Sequence, residues 1–270
     1  MKLVVLLTDW GTKSYYQGVV KGVIKQIAPE VEVIDLTHDI EPFSVREAMH
    51  VLFRAYRDFP QGTVFMCVVD YGVGTERKAI ALETKSGYFF VGPDNGLFTL
   101  VAEEDEVLRI VELKNPEYFY KPIPSFSFHG RDIFAPVSAF IAKGMDLSVF
   151  GERLEKLALL PYEKARKEGK KIFGEVVFFD RFGNVETNIP GILCEELKFG
   201  SVVAIYWNEK VRVAKYSRTY GDVPPKQLLI HIDSSGFLEI AMNKGNAREE
   251  MDLAGGESIV LSLKEGSDEL

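Results

Sequence analysis

Apolar positions in the first half of the chain fall into short unbroken runs separated by segments of helical period. Residues 3–7 (Leu-Val-Val-Leu-Leu) and 64–69 (Val-Phe-Met-Cys-Val-Val) have no polar face. Runs of that length suit central strands covered on both sides. Residues 31–36 read as a third strand. Between these, residues 16–27 set Val19, Val20, Val23, Ile24 and Ile27 at helical spacing and stop before Pro29. Residues 44–59 place Val45, Ala48, Met49, Leu52 and Tyr56 on one helical face. Strands that alternate with helices predict βαβ units and a mainly parallel sheet.

The pattern then changes. Residues 79–83 and 87–91 read as a strand pair, 97–103 as a short helix, 107–113 as a strand, and 133–143 as a helix closed by Gly144. Residues 152–171, rich in Lys and Glu, read as a partly helical connection between two domains, 1–160 and 161–270. Beyond it the grammar is all β, with strands over 174–179, 201–207, 210–214, 227–232, 237–241 and 258–263. Short strands with Gly, Asn and Asp turns predict a small antiparallel barrel or sandwich. The fold class is therefore α/β, with a mainly parallel amino-terminal α/β sandwich and a smaller carboxy-terminal antiparallel β-barrel.

Composition narrows the function. The net charge of −8 over 270 residues argues against a nucleic-acid surface. No apolar run approaches the roughly 20 residues a membrane helix needs. The amino terminus reaches Asp9 too soon for a secretory signal and reads as the first strand of a cytoplasmic protein. Cys67 and Cys194 lie far apart without metal-ligand spacing, so neither a disulfide framework nor a zinc site is expected.

Asp9, Asp70 and Asp94 each follow an apolar run and open a turn that contains glycine. On neighbouring parallel strands they would gather along one sheet edge, where open α/β folds bind ligands. Arg77 returns beside Asp70 through a loop with Gly72 and Gly74. Asp9 is placed to accept from vicinal hydroxyls. His129 shares a loop with Arg131 and Asp132 after a long irregular stretch, a setting in which function collects. His38, in Thr37-His38-Asp39, reads equally as a capping turn, while His50 and His231 fall in periodic segments and read as packing. The stretch 180–188 ends a strand on Asp180, turns at Gly183, and offers the amides of Asn184 and Asn188, which can read a purine edge. No HxxxH, HxH or DxD spacing appears, and Arg77 beside Asp70 would repel a cation, so no metal is expected.

Together these stretches resemble one family, the S-adenosyl-methionine hydrolases (adenosine-forming), related to fluorinase and chlorinase enzymes. The matching motifs are TDWG at 8–11, IDLTHDIEPF at 34–43, FPQGTVFMCVVDYGVGTER at 59–77, GPDNGLFT at 92–99, SFHGRDIFAP at 127–136 and DRFGNVETNIP at 180–190. The resemblance implies hydrolysis of S-adenosyl-L-methionine to adenosine and L-methionine, without cofactor or metal. It also implies a homotrimer with sites at subunit interfaces. It identifies Asp70, Arg77 and His129 as the catalytic trio and Asp9 as the acid on the ribose hydroxyls. Asn184 faces the adenine, Asp180 and Ser234 hold the methionine moiety, and Phe43, Phe128 and Tyr220 form aromatic walls. Trp10 stands where the family has Phe and Tyr71 where it has Pro, and Ser235 replaces the arginine that follows the serine in the halogenating relatives. In this chemistry the sulfonium makes methionine a leaving group, and Asp70 and His129 orient a water and take its proton. Arg77 stabilises developing hydroxide. The rival readings are a halogenase using chloride or fluoride and a low-turnover adenosine or S-adenosyl-methionine binding protein.

Overall fold

The computed structural model describes residues 2–263, so Met1 and the last seven residues of the expected second domain lie outside it. The chain divides into two compact units after Leu160.

Unit 1 is built on a seven-stranded sheet. Its strands are β1 (Leu3–Thr8), β2 (Glu32–Thr37), β3 (Val64–Val68), β4 (Ala79–Thr84), β5 (Phe89–Pro93), β6 (Val107–Leu113) and β7 (Gly151–Arg153), in the order β2-β1-β3-β5-β4-β6-β7. The pairings β2–β1, β1–β3 and β3–β5 are parallel. The remaining three are antiparallel, and of these β4 and β5 form a hairpin whose turn is too short for a crossover. The parallel half therefore carries β1, β3 and β5 side by side with their carboxyl ends at one edge.

Alternation along β1 and β3 explains their unbroken apolar sequence. Val4, Leu6, Val64, Met66 and Val68 pack beneath α1 (Tyr16–Ile27) and α4 (Ala135–Ala142). Leu3, Val5, Leu7, Phe65 and Cys67 enter the opposite layer with α2 (Val45–Ala55) and α3 (Thr99–Glu104). With both faces covered, the two strands are apolar except for Thr8 at the end of β1. The α2 start is fixed by Ser44, whose hydroxyl accepts from the Glu47 amide.

The connection expected to be partly helical is extended. Leu154, Leu157 and Leu160 recur every three residues, which mimics a helix. They instead lie against the core of unit 1, where β7 joins the sheet edge and Gly96 bridges to Leu159. Beyond them β8 (Arg166–Glu168) forms a hairpin with β9 (Lys171–Phe179).

Unit 2 is a closed seven-stranded barrel. Around it run β9, β10 (Val185–Pro190), β14 (Phe237–Met242), β13 (Leu228–Ile232), β12 (Lys210–Tyr216), β11 (Val202–Trp207) and β15 (Ser258–Leu263), and the β9–β10 pairing completes the ring. Ile172, Val176, Val185, Ile205, Ile230, Leu238 and Ile240 fill its interior. All its pairings are antiparallel except β12 with β13. There the chain returns through a turn at Tyr220–Asp222 instead of a hairpin. The short α5 (Ala247–Met251) was not evident from periodicity. Among the described residues no helix is long and apolar enough to cross a membrane.

Candidate active site

The three strand-end acids of unit 1 do share one edge, since β1, β3 and β5 are adjacent and parallel. They do not share one task. Asp94 accepts from the Ala158 amide at 2.8 Å and so anchors the extended connection. Asp9 and Asp70 are close enough that the charge on Asp70, after burial, helps push the Asp9 carboxyl above its ordinary range.

Asp70 lies just past β3. Its side chain is 5% exposed and that of Arg77 is 10% exposed, so the pair is shielded from water. Arg77 Nε donates to Oδ1 at 2.9 Å and to Oδ2 at 3.1 Å, and Nη2 donates to Oδ2 as well. The same Nη2 donates to His129 Nδ1 at 2.9 Å. A guanidinium has no lone pair to offer, so Nδ1 must be the acceptor and the neutral ring carries its proton on Nε2. Burial and then the Arg77 charge push the His129 pKa below its ordinary value. The Phe134 ring lies 5.3 Å below the guanidinium carbon and covers its other side.

Two local features hold this line. Gly74 has φ +76°, and a Cβ there would come within 2.2 Å of the Phe126 carbonyl oxygen. Only glycine lets the 70–77 loop lie against the 125–129 loop. His129 then leads into a π-helical turn, Gly130–Phe134, ahead of α4. The expected helix thus begins three residues early, with a geometry that concentrates at functional sites. Asp132 is fully buried and accepts from the Ser125 amide and hydroxyl and from Arg131. Arg131 and Asp132 therefore shape the loop rather than face a ligand.

Asp9 Oδ2 accepts from the Phe43 amide at 3.0 Å. Phe43 has φ +70°, a costly conformation for a side chain of its size, and its ring is 68% exposed. Strain of this kind persists where the surroundings enforce it, often at ligand sites. Phe128 is partly buried, edge-on to Trp10 at 5.7 Å and 4.9 Å from Tyr16, with Arg131 over its ring. Phe134 was missed as a site residue, and Trp10 entered only through the TDWG motif, where it stands for the family's Phe.

In unit 2 the Asp180 carboxylate organises the β9–β10 turn. It accepts from the amides of Phe182 (2.9 Å) and Asn184 (2.8 Å) and from Asn184 Nδ2 (2.8 Å). Gly183 has φ +81°, and a Cβ there would strike the Asn246 side chain. A cavity of about 520 Å³ opens beside this turn, lined by Asp180, Phe182, Asn184, Tyr220, Met242, Lys244 and Gly245. Burial and the neighbouring Glu239 carboxylate push the Tyr220 phenol up to about 12. Its hydroxyl donates to Glu239 at 3.0 Å, and Glu239 also bonds His231 Nε2 at 2.8 Å. Asn188 does not open on the cavity. Its amide accepts from Glu175 N and donates to the Glu163 carbonyl. The turn of the 180–188 stretch ends at Asn184, and Val185, Thr187 and Ile189 alternate inward along β10.

Ser234 is not brought to the Asp180–Asn184 turn. Val185 pairs with Ile240 and Pro190 with Phe237, so the two turns sit at opposite ends of β14. That strand alone spans about 17 Å at roughly 3.3 Å per residue. Among the described residues no group of three or more His, Cys, Asp or Glu is disposed to hold a metal ion.

The α/β unit that carries the acid–guanidinium–imidazole line and the barrel unit match the two domains of one family, the SAM hydroxide adenosyltransferases. The model of that family's N-terminal domain matches residues 4–151 and that of its C-terminal domain residues 174–260, and the chain belongs to this family. It is 38% identical to an (R)-S-adenosyl-L-methionine hydrolase from Thermus thermophilus, over 97% of this chain and 100% of that one. A hydrolase of the same description from Methanocaldococcus jannaschii is 35% identical over 94% of this chain and 93% of that one. A fluorinase from Nocardia brasiliensis is more distant, at 26% over 97% of each. Among solved structures, an uncharacterized conserved protein from Thermotoga maritima superposes with a TM-score of 0.93 at 50% identity, over 96% of this chain and 99% of that one.

Proposed function

We propose that this protein hydrolyses S-adenosyl-L-methionine to adenosine and L-methionine by attack of a water-derived oxygen on C5′ of the ribose. The observation that carries the reading is the continuous hydrogen-bonded line Asp70–Arg77–His129 beside Asp9 at the carboxyl ends of adjacent strands. Homology to hydrolases at 35–38% identity over nearly the whole chain supports it.

The roles follow from donor and acceptor inventories. The carboxylate of Asp70, held by Arg77, keeps lone pairs free to accept a hydrogen of the attacking water and aim its oxygen. With Nδ1 occupied by Arg77, His129 presents Nε2–H as a donor, so it orients the water as donor rather than base. This refines the sequence-based expectation, in which both residues take the proton. Arg77 supplies the positive charge that favours hydroxide character as the O–C5′ bond forms. The C5′–S bond breaks with its electron pair staying on sulfur, which turns the sulfonium into the neutral thioether of methionine. The water's second proton leaves through Asp70. Asp9 takes the ribose hydroxyls, and the Phe43 and Phe128 rings face the sulfonium region. On the barrel's side Asn184 faces the adenine, Asp180 holds the methionine moiety and Tyr220 is an aromatic wall. No step calls for a metal or cofactor. Ser234, at the other end of β14 from the Asp180–Asn184 turn but next to Asp233, whose charge reaches Tyr220, holds the methionine moiety in this reading.

We further propose a homotrimer in which Asp9 of one protomer and Asn184 of its neighbour complete each site. Exposed aromatic rings at both half-sites support this, with Phe126 at 82% and Phe182 at 76% exposure. A cytoplasmic setting is supported by the two buried, unpaired cysteines, the state reducing compartments maintain.

The decisive experiment is turnover in ¹⁸O-water with each sulfonium epimer of the substrate, in the presence and absence of chloride and fluoride. Label on the 5′-oxygen of adenosine, none in methionine, and no 5′-halo product is the expected result. Stoichiometric 5′-chloro-adenosine would overturn hydrolysis in favour of halogenation, and absence of any product would leave a binding protein. Light scattering on the active species tests the trimer.

A further inference from the structure

His38 is buried and has no part in the chemistry above, yet it touches the turn that presents Asp9. Its Nδ1 lies 2.7 Å from the Thr8 hydroxyl oxygen. Its Nε2 lies 3.0 Å from Asp35 Oδ1, a contact too bent to make a full hydrogen bond but close enough to fix the ring's proton on that side. A carboxylate facing a nitrogen lone pair would be repelled. Asp35 is itself held ionised, because Lys21 and His38 outweigh the opposing effect of burial. With the proton on Nε2, Nδ1 accepts from the Thr8 hydroxyl, and that oxygen in turn accepts from the Trp10 amide at 3.3 Å. The His38 carbonyl also accepts from the Gly11 amide at 2.7 Å. Both neighbours of Asp9 in sequence, Thr8 and Trp10, are thus tied to this one imidazole.

The ring acts on the other half of the site as well. It stacks on Trp10 with planes 9° apart and centroids 6.4 Å apart. The far side of Trp10 is pressed on the loop of His129, since a Cβ at Gly130 would come within 2.7 Å of the indole. The sequence Lys21–Asp35–His38–Thr8/Trp10–Gly130 is a strut from the outer strand β2 to both loops.

We infer that His38 is a positioning residue for this reaction. It fixes the direction of the Asp9 carboxylate toward the ribose and the spacing between Asp9 and His129, and it never touches substrate. The inference rests on the reading of Asp9 as the ribose acid. Its consequence is specific. Loosening the strut weakens the interaction that depends on ribose hydroxyls and leaves the rest of nucleoside binding intact.

The test compares adenosine with 2′-deoxyadenosine by calorimetry on the intact protein, for the unmodified chain, H38Q and T8V. The unmodified protein should prefer adenosine by at least tenfold, the scale of a hydrogen bond to a charged group. In H38Q and T8V that preference should shrink about tenfold, through adenosine alone, with the deoxynucleoside affinity unchanged. The double variant should lose no more than either single one, since both cut the same strut. KM for S-adenosyl-methionine should rise more than kcat falls. If both nucleosides weaken together, or neither does, His38 only packs the core and the inference is overturned. An unmodified protein that binds both nucleosides equally overturns the ribose reading of Asp9 and this inference with it. Should H38Q not fold, T8V, which keeps the side-chain shape, carries the same comparison.

Discussion

Arg77 and His129 meet through a single hydrogen bond of 2.9 Å, from a guanidinium nitrogen to the imidazole Nδ1. A histidine held by a cation is kept neutral, the opposite of one held by a carboxylate. Here burial and Arg77 act together to lower its pKa.

The pH dependence follows with a definite sign. An unfolded histidine titrates near about 6.5, and His129 in the fold titrates lower. As pH falls through about 6.5 the unfolded chain takes the proton first, so this site withdraws stability there and withdraws none above. Activity that needs the neutral ring should stay level down through 6.5 and fall only below it. R77M should move that acid limb to higher pH while lowering kcat. The pH–rate profile, with the His129 ring followed by NMR, reads both, and an unmoved limb would count against the assignment.

Removing half of the buried Asp70–Arg77 pair should cost more than removing both. D70A leaves a guanidinium 10% exposed without its carboxylate and should destabilise by about 3 kcal/mol, with D70A/R77M recovering part of the loss. Turnover in D70A should fall about 10²–10⁴-fold, while adenosine affinity changes far less. Denaturant melts and single-turnover assays separate the two effects.

Gly74 is the contact at which the Arg77 loop meets the His129 loop, through the Phe126 carbonyl. G74A should destabilise by at least about 1 kcal/mol from its positive φ, and by more from the clash. Its kcat should drop more than ten-fold as Arg77 and His129 separate. A G62A control, at a positive φ with open space around it, should show the stability loss without the loss of kcat.

In the barrel cavity Asn184 gives one Nδ2 hydrogen to Asp180, which fixes the amide's orientation and presents its carbonyl oxygen as an acceptor for an exocyclic amine. Adenosine should therefore bind tighter than inosine, whose 6-oxo group would face that oxygen. N184A should reduce adenosine affinity about ten-fold and erase the preference. Equal affinities in the unmodified protein would remove Asn184 from the base-reading role.

What the chain discloses before it is folded depends on the range over which the physics acts. β1, β3 and α1 were legible because burial on both faces or on one stripe writes itself into local periodicity. Asp70 and Arg77 were legible because one short glycine loop connects them. Thr8, Trp10 and His38 were not, because their partnership depends on β1 lying beside β2, which no local pattern encodes. β10 was lost inside its own turn motif. The Lys- and Glu-rich composition of 152–171 suggested a partly helical connection where sheet-edge pairing and the packing of Leu154, Leu157 and Leu160 prevailed. Asn188 resembled Asn184 in sequence, and only the β9–β10 register turns one amide toward Glu175 and the other toward the cavity.

The strand order β2-β1-β3-β5 also bears on how the molecule comes into being. None of these parallel pairings can close as a hairpin, so each must wait for the intervening chain to be made and packed. Asp9 leaves the ribosome early but lacks Asp70 as a neighbour until β3 docks beside β1, and Arg77 lacks its imidazole partner until His129 arrives much later. Secondary structure can thus be well advanced while the chemistry is still absent. In refolding, regained turnover should trail the helical signal, which makes activity a clock for the last long-range step of assembly.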